Sequence, residues 1–156
     1  TFAATHAASM LPRYFEVAFR IAIASLKHRP KESDKFTRAV GAILADTMPH
    51  RVTQRHAVLG ASGHQLFFPF ALDVSSNRPI LLQPVAAKAG KVDWSAVYQT
   101  GGKFRDVLNS GVVTRRIAVL EPAESGQIAK ARVALGDSAD VVLFRSADSL
   151  AHALAA

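Results

Sequence analysis

The fold is decided by residues 57–86, which read AVLGASGHQLFFPFALDVSSNRPILLQPVA. Apolar runs typical of β-strands lie in this stretch and just before it: Val52–Leu59, Phe67–Val74 and Ile80–Val85. The segments Gly60–Gly63 and Ser75–Pro79 separate these runs, and their Gly, Ser, Asn and Pro residues are typical of turns. We therefore predict three consecutive strands that form a meander.

The middle strand is predicted to have two distinct faces. One face carries, by alternation, Phe68, Phe70, Leu72 and Val74. The opposite face carries Phe67, Pro69, Ala71 and Asp73. Because Pro69 has no backbone N–H, the strand is predicted to be an edge strand there or to contain a bulge. Its aromatic residues are predicted to be core residues rather than a platform on which nucleic-acid bases stack.

Helical patterns flank the three strands on both sides. Before them, apolar residues recur at helical spacing from Pro12 and again between Ser33 and Pro49. After them, a helix from about Asp93 contains Gly101-Gly102, which predicts either a break or a close backbone approach. The remaining predicted elements are a loop at Ala86–Val92, strands at Ile117–Leu120 and Val141–Phe144, a helix at Gln127–Leu135 and a last helix capped by Ser146.

The predicted order of elements is ααβββαβαβα. The strand–helix–strand–helix order of the second half is typical of parallel βαβ units, whereas the first three strands form a meander. The predicted fold class is α/β, with a mixed central sheet of about five strands flanked by helices. Residues 1–11 are predicted to be a tail or the remnant of a linker, and residues 12–156 are predicted to be a single domain.

Composition excludes several classes of protein. The 156 residues are 49% hydrophobic and include no cysteine, which excludes a disordered chain, disulfides and thiolate metal sites. No apolar run approaches the roughly 20 residues that span a bilayer, and no signal peptide is recognisable. We therefore expect a cytoplasmic protein with no membrane contact. Because the sequence begins at Thr1, we also expect an upstream domain in a larger parent protein.

The chain is basic, with a net charge of +7. Residues 1–56 hold nine Lys and Arg against four Asp and Glu, so +5 of the excess lies in this part. Such a surface attracts polyanions, which means nucleic acid or an acidic protein surface. The alternative interpretation is a dispersed charge with no specific partner. The residues predicted to contact nucleic acid are Arg51, Arg55, Lys88, Lys91, Lys103 and Arg105.

The order of a helix, three meandering strands, a helix and a strand resembles the restriction-endonuclease-like fold, the PD-(D/E)xK nucleases. In that family a carboxylate ends the second strand, and a Glu and a Lys one residue apart lie on the third. Asp73 and Gln83 take the places of the carboxylate and the Glu, but Val85 takes the place of the Lys. The resemblance implies a divalent metal that activates water against a phosphodiester, and the departures imply a degenerate site. Alternatively, Asp73 caps the turn at Ser75-Ser76.

A second resemblance is to the C-terminal half of an uncharacterised two-domain family of bacteria and phages. In that half, two helices precede a strand, a turn of Gly and Ser residues, and an aromatic-rich strand. The corresponding residues here are Ala61–His64 and Phe68–Leu72. This resemblance implies an upstream partner domain and the context of a mobile genetic element.

Other catalytic patterns are not supported. No two of the six histidines are three or four residues apart, so no metal site is predicted. Ala61-Ser62-Gly63 joins two strands, whereas the nucleophile turn of serine hydrolases joins a strand to a helix.

The first predicted function is a non-catalytic, degenerate nuclease-fold module without a cofactor, which binds nucleic acid or a protein partner. The first alternative is an active, Mg²⁺-dependent nuclease that uses Asp73, with Glu16 and Gln83 assisting. The second alternative is a structural domain that forms homo-oligomers through an edge strand.

Overall fold

The structure is a computed structural model that describes residues 32–155, with side chains from Lys35 onward. The predicted helix at Pro12 and the predicted tail, residues 1–11, lie outside the described residues. The helices are α1 (Glu32–Thr47), α2 (Trp94–Asn109), α3 (Ser125–Gly136) and α4 (Ala147–Ala155). The strands are β1 (Val52–Leu59), β2 (Gln65–Leu72), β3 (Ile80–Val85), β4 (Ala87–Lys88), β5 (Lys91–Val92), β6 (Arg115–Leu120) and β7 (Asp140–Leu143).

Five strands form one mixed sheet in the order β1-β2-β3-β6-β7. The β1–β2 and β2–β3 pairs are antiparallel, whereas β6 runs parallel to both β3 and β7. The helices α2 and α3 connect these parallel strands, as βαβ units require. The prediction of an α/β fold with a mixed sheet of about five strands is therefore confirmed.

Apolar residues cover both faces of the sheet. The adjacent residues Leu81 and Leu82 of β3 are fully buried and belong to two different clusters, because their side chains point to opposite faces. What we call the α2–α3 core includes Phe68, Ala71, Leu81, Val97, Phe104, Ile128 and Leu135. What we call the α1–α4 core includes Phe36, Val40, Leu44, Phe70, Leu72, Leu82, Leu150 and Leu154. The sheet is thus the middle layer of a three-layer sandwich.

The β1–β2 hairpin changes its core-facing side at Pro69. Phe70 belongs to the α1–α4 core, but Phe68 belongs to the α2–α3 core and stacks on Phe104, with ring centroids 5.2 Å apart. The prediction that Phe68 and Phe70 share a face is therefore wrong. Arg55 faces Pro69 across the hairpin with φ of +50°, and these two residues are not partners in the register. The left-handed backbone of Arg55 and the missing N–H of Pro69 explain this change of face.

The strand order and the register test both predictions for Pro69. β2 is an internal strand, paired with β1 on one side and β3 on the other, so it is not an edge strand. The predicted bulge is not observed either, because neither strand contains an extra residue opposite the other. On both sides of Pro69 the β1–β2 register keeps the same offset, from Val52 opposite Leu72 to Leu59 opposite Gln65, and only the pairing of Arg55 with Pro69 is missing.

Helix α2 continues without a break through Gly101-Gly102. Its N-cap is Asp93, whose Oδ1 accepts a hydrogen bond of 3.2 Å from the N–H of Ala96. A Cβ atom at position 101 would lie 3.6 Å from Cδ2 of Leu135 in α3. The predicted break is therefore wrong, and the contact at Gly101 is an ordinary van der Waals contact between α2 and α3 rather than the predicted close backbone approach.

A short hairpin replaces the loop predicted at residues 86–92. Strands β4 and β5 are joined by Ala89 and Gly90, whose φ angles of +51° and +72° are typical of a type I′ turn. Lys88 and Lys91 are cross-strand partners at the ends of this turn. Three hydrogen bonds anchor the hairpin: from the N–H of Ala87 to Oε2 of Glu121 (2.7 Å), from the N–H of Val92 to Oε1 of Gln127 (3.0 Å) and from the N–H of Glu124 to the carbonyl oxygen of Gly90 (3.3 Å).

Candidate functional site

Asp73 follows β2 and forms an ion pair with Arg51, which precedes β1. Arg51 Nε donates to Oδ1 of Asp73 at 2.9 Å, and Nη2 donates to Oδ2 at 2.6 Å, so the pair is bidentate. These hydrogen bonds lower the pKa of the Asp73 carboxyl group. The carbonyl oxygen of Asp73 accepts the N–H of Ser76 at 2.8 Å and closes the turn. Asp73 thus stabilises the turn through its backbone, while its side chain binds Arg51.

The structure does not bring Asp73 and Gln83 together. Extending the β2–β3 register by one residue places Asp73 level with Pro79. Gln83 lies four residues farther along the chain, which is about 13 Å at the usual rise of a strand. Glu16, the third candidate catalytic residue, lies outside the described residues. The catalytic role of these three residues stays a prediction.

Lys103 of α2 binds Gln83 and the backbone of β2. Its Nζ donates to Oε1 of Gln83 at 3.2 Å and to the carbonyl oxygen of Phe67 at 2.8 Å. Strand β3 pairs with β2 only at Phe70–Leu72. The carbonyl oxygen of Phe67 lies beyond this paired segment, and Lys103 donates a hydrogen bond to it there. Nζ also lies 5.3 Å from the ring centroid of Phe68, and burial lowers the pKa of the ammonium group. Two of its three donors are therefore used within the fold.

A second polar cluster, which we call the Asp106 clamp, joins α2 to the β1–β2 turn. The N–H and the hydroxyl of Ser62 donate to Oδ1 and Oδ2 of Asp106 at 2.8 and 2.6 Å. The N–H of Ala61 donates to the Asp106 carbonyl oxygen at 3.1 Å. The Ser62 hydrogen bonds are the main cause of a lowered Asp106 pKa. A Cβ atom at Gly60 would lie 2.0 Å from Oδ2, so any larger residue there would displace the Asp106 carboxylate from Ser62.

His64 extends the Asp106 clamp, with its Nδ1 atom 3.1 Å from Oγ of Ser62. In a catalytic triad the histidine lies between the serine and the carboxylate. Here the serine lies in the middle and donates directly to Asp106, so the carboxylate does not orient the histidine. The clamp is therefore a structural contact. Ser62 and Asp106 are 44 residues apart, and no sequence motif links them.

The residues predicted to contact nucleic acid fall into two groups. Arg51 and Lys103 are engaged with Asp73 and with Gln83, as described above. The second group is exposed and consists of Arg55, Lys88, Lys91 and Arg105. None of these four forms an ion pair with another residue of the segment 35–155. The structure brings Lys88 and Lys91 together on the β4–β5 hairpin.

The tip half of the β1–β2 hairpin has one face that no helix between residues 32 and 155 covers, which we call the outer face. Val58, Leu66 and Phe68 pack into the α2–α3 core, so the residues that alternate with them point away from it. The outer face consists of Arg55, Ala57, Leu59, Gln65 and Phe67. No residue of the outer face belongs to either apolar core, as far as the described chain shows. Phe67 is 43% exposed, so its predicted place in the core is wrong.

A small polar cleft of about 140 Å³ lies at the amino ends of β6 and β7. Two arginines in its lining are used within the fold. Arg115 Nε donates to Oδ2 of Asp140 at 3.2 Å, and Arg116 Nε donates to the carbonyl oxygen of Ser138 at 2.7 Å. Ligands of α/β sheets usually bind at the opposite, carboxyl ends of the strands. Arg115 therefore ties β6 to β7, and Arg116 ties β6 to the residues that precede β7.

Two further observations concern metals and membranes. Within the described part of the chain, no three His, Asp or Glu side chains lie close enough together to hold a metal ion. None of the helices between residues 32 and 155 is long and apolar enough to cross a membrane.

Comparisons with known proteins gave one structural similarity. No protein-family model matches the chain, and no curated protein matches it. A solved structure titled "Crystal Structure of Protein of Unknown Function AF1548" is similar at a TM-score of 0.47 and 13% sequence identity. The match covers 69% of this chain and 54% of that one, so this chain spans about half the length of that protein.

Proposed function

We propose that this chain is a non-catalytic module with a degenerate nuclease-like fold, which binds nucleic acid through the phosphate backbone. The observation that carries the proposal is the contrast between the two groups of cations. Arg55, Lys88, Lys91 and Arg105 are exposed and have no ionic partner among residues 35–155, whereas the candidate carboxylate Asp73 is bound by Arg51. A cytoplasmic bacterial or phage protein is the context in which we place this module.

The β4–β5 hairpin supports phosphate binding most directly. Lys88 and Lys91 are cross-strand partners, and like charges directly opposite each other destabilise a hairpin. A bound phosphate would remove this repulsion and would release counterions from the nucleic acid. The two lysines therefore favour a polyanionic partner.

A Mg²⁺-dependent nuclease is less well supported by the same geometry. Mg²⁺ prefers carboxylate and water ligands in octahedral geometry. Gln83 offers one neutral oxygen, which already accepts a hydrogen bond from Lys103, and Asp73 lies about 13 Å farther along the strands. These residues do not fit a Mg²⁺ site, so we derive no catalytic step through the metal.

A structural domain that oligomerises through an edge strand is also less well supported. β1 is an edge strand of the sheet, but Arg55 in its middle has a left-handed backbone with φ of +50°. An irregular edge prevents an added strand from forming a continuous ladder. Size-exclusion chromatography with light scattering tests this alternative, and we expect a mass of one chain.

The experiment that tests the proposal measures DNA binding by the full chain across a salt series. We expect the affinity for a duplex of about 20 base pairs to fall steeply between about 50 and about 200 mM salt. The double variant Lys88→Ala/Lys91→Ala should bind more weakly and should lower the slope of log K against log salt by about 1 per lost phosphate contact. The double variant Lys130→Ala/Arg132→Ala is the matched control, because it removes two exposed charges from α3.

Two results of that experiment would contradict the proposal. One is an affinity that does not change across the salt range, and the other is an equal loss of affinity in the control variant. A plasmid-nicking assay with Mg²⁺ or Mn²⁺ tests the absence of catalysis. Cleavage that Asp73→Ala abolishes would establish the nuclease alternative in its place.

A further inference from the structure

The outer face of the β1–β2 hairpin combines an exposed aromatic ring with a cation. Phe67 is 43% exposed and Leu59 is 63% exposed. The guanidinium carbon of Arg55 lies 5.4 Å from the ring centroid of Phe67, within cation–π distance. Residues 52–72 contain no Asp or Glu, so no acidic side chain of the hairpin repels an anion from this face.

The exposure of Phe67 is a consequence of the change of face at Pro69. On the tip half of the hairpin, Leu66 and Phe68 face the α2–α3 core, and Phe67 between them must point outward. A polar residue would suit an outward position at the surface of a monomer better than phenylalanine does. The left-handed backbone of Arg55 is also strained for a residue other than glycine. Backbone outliers of this kind cluster at functional sites.

We propose that the outer face binds single-stranded nucleic acid, in which one base displaces Arg55 from the ring of Phe67 and stacks there, while the Arg55 guanidinium contacts a neighbouring phosphate. This inference rests on the proposed function, and it narrows the partner from nucleic acid in general to unpaired strands. Every base has a π-face that an exposed aromatic ring can bind, so the contact is independent of sequence. The positive charge of Arg55 complements the phosphate backbone of the same strand.

A duplex does not fit the outer face in the same way. In a double helix the faces of the bases are stacked on each other, so only phosphates and groove edges reach a flat protein surface. A base can stack on the ring of Phe67 only when it is not stacked between its neighbours in a duplex. Leu59 lies diagonally across the hairpin from Phe67, at roughly 7–8 Å between Cα atoms, which leaves an apolar place for the next nucleotide.

The test compares two DNA probes of the same length, an oligo-thymidine single strand and a duplex, with the full chain. We expect Phe67→Ala and Phe67→Leu to weaken binding of the single strand by at least about fivefold and to change duplex binding by less than about twofold. Phe67→Leu keeps an apolar side chain but removes the aromatic face. Tyr98→Ala is the matched control, because Tyr98 is an aromatic residue of α2 that is 68% exposed.

A spectroscopic variant gives a direct readout of stacking. Phe67→Trp should retain binding of the single strand, and its tryptophan fluorescence should be quenched on addition of oligo-thymidine more than that of the wild type, which has only Trp94. Circular dichroism melting of each variant checks that the fold is retained.

The possible outcomes separate this inference from the proposed function. If Phe67→Leu binds the single strand as tightly as the wild type, stacking is overturned, although salt-dependent duplex binding would stand. If the wild type binds neither probe, both proposals are overturned. If the Phe67 variants leave DNA binding unchanged but alter the mass measured by light scattering, the outer face is a protein interface and the inference is overturned.

Discussion

At the scale of single residues, the backbone has three non-glycine positions with positive φ among those described: Arg55, Asp73 and Ala89. Two of them have side-chain contacts that offset the conformational cost. Asp73 forms the bidentate pair with Arg51, and Arg55 lies over the ring of Phe67. The methyl group of Ala89 offers no such contact, so its cost of about 1–2 kcal/mol is not offset.

We therefore expect Ala89→Asn to stabilise the protein. Asn-Gly is the preferred pair in a type I′ turn, because asparagine tolerates the left-handed conformation better than alanine does. A gain of about 1 kcal/mol would raise the melting temperature by about 2–4 °C in a chain of this size, as calorimetry can measure. Ala89→Val is the opposite control and should lower the melting temperature, because branched side chains are strained at positive φ. An Asn variant that melts no higher than the wild type would contradict this account.

The contacts of the candidate site could not be predicted from the sequence, because they join residues that are far apart along the chain. The hydrogen bond from Lys103 to Gln83 spans 20 residues, and the bonds from Ser62 to Asp106 span 44. No local spacing of residues encodes contacts between positions this far apart. The sequence around Lys103 therefore does not distinguish it from a lysine that is exposed to solvent. Asp73 could be placed at the end of its strand by alternation, but its partner Arg51 could not be chosen among the basic residues.

At the scale of elements, the contact between α1 and β2 depends on a glycine. A Cβ atom at Gly41 would lie 2.7 Å from Cζ of Phe70, a buried ring of the α1–α4 core. The absence of a side chain at this position therefore lets the helix lie directly on the strand.

This contact reverses the usual effect of replacing glycine by alanine in a helix. We expect Gly41→Ala to destabilise the protein by about 1–3 kcal/mol, because the ring of Phe70 is overpacked. Gly102→Ala is the matched control in α2: no atom lies within 4 Å of its Cβ position, so we expect a gain of up to about 1 kcal/mol. Urea denaturation measures both changes. The double variant Gly41→Ala/Phe70→Leu should recover part of the loss, and a Gly41→Ala variant as stable as the wild type would refute the account.

The strands could be predicted from the sequence where a long apolar run ends at residues typical of turns. The bounds of β1 and β3 agree with the prediction for this reason. β2 begins two residues earlier than predicted because Gln65 pairs with Leu59, and it ends earlier because Asp73 turns the chain with φ of +52°. Strands β4 and β5 have two residues each, which is too short for any periodicity to indicate them.

At the scale of the whole molecule, the charge is divided between the described and the other residues. Residues 32–155 contain 14 Lys and Arg and 11 Asp and Glu, a net charge of +3, which leaves +4 of the total of +7 for the rest of the chain. Binding experiments therefore need the full chain, because more than half of the net charge lies outside the described fold.

The stability of the whole protein should fall in acid in a way that depends on Asp106. The pKa of Asp106 is lower in the folded state, so its stabilising effect is complete above its ordinary pKa of about 4 and is lost as the pH falls through the folded-state value. We expect Asp106→Asn to lower the urea midpoint at pH 7 and to reduce the drop in the midpoint between about pH 5 and about pH 3.

Two comparisons make this prediction specific. Ser62→Ala removes the hydroxyl that donates to Oδ2 of Asp106 and should reproduce part of the effect. The Asn variant should keep some acid sensitivity, because Arg51 also lowers the pKa of Asp73. An identical drop in the urea midpoint for the wild type and for Asp106→Asn would contradict this prediction. It would show that protonation of Asp106 does not change the free energy of unfolding.

The Asp106 clamp has a consequence for the order in which the chain folds and opens. The N–H groups of Ala61 and Ser62 are hydrogen-bonded only when α2 has docked, because their acceptors belong to a residue more than 40 positions away. These two amide groups therefore become protected late, and their protons exchange with solvent at a rate set by the detachment of a distant helix. A ligand that held α2 on the sheet would slow amide exchange in a turn that it never touches.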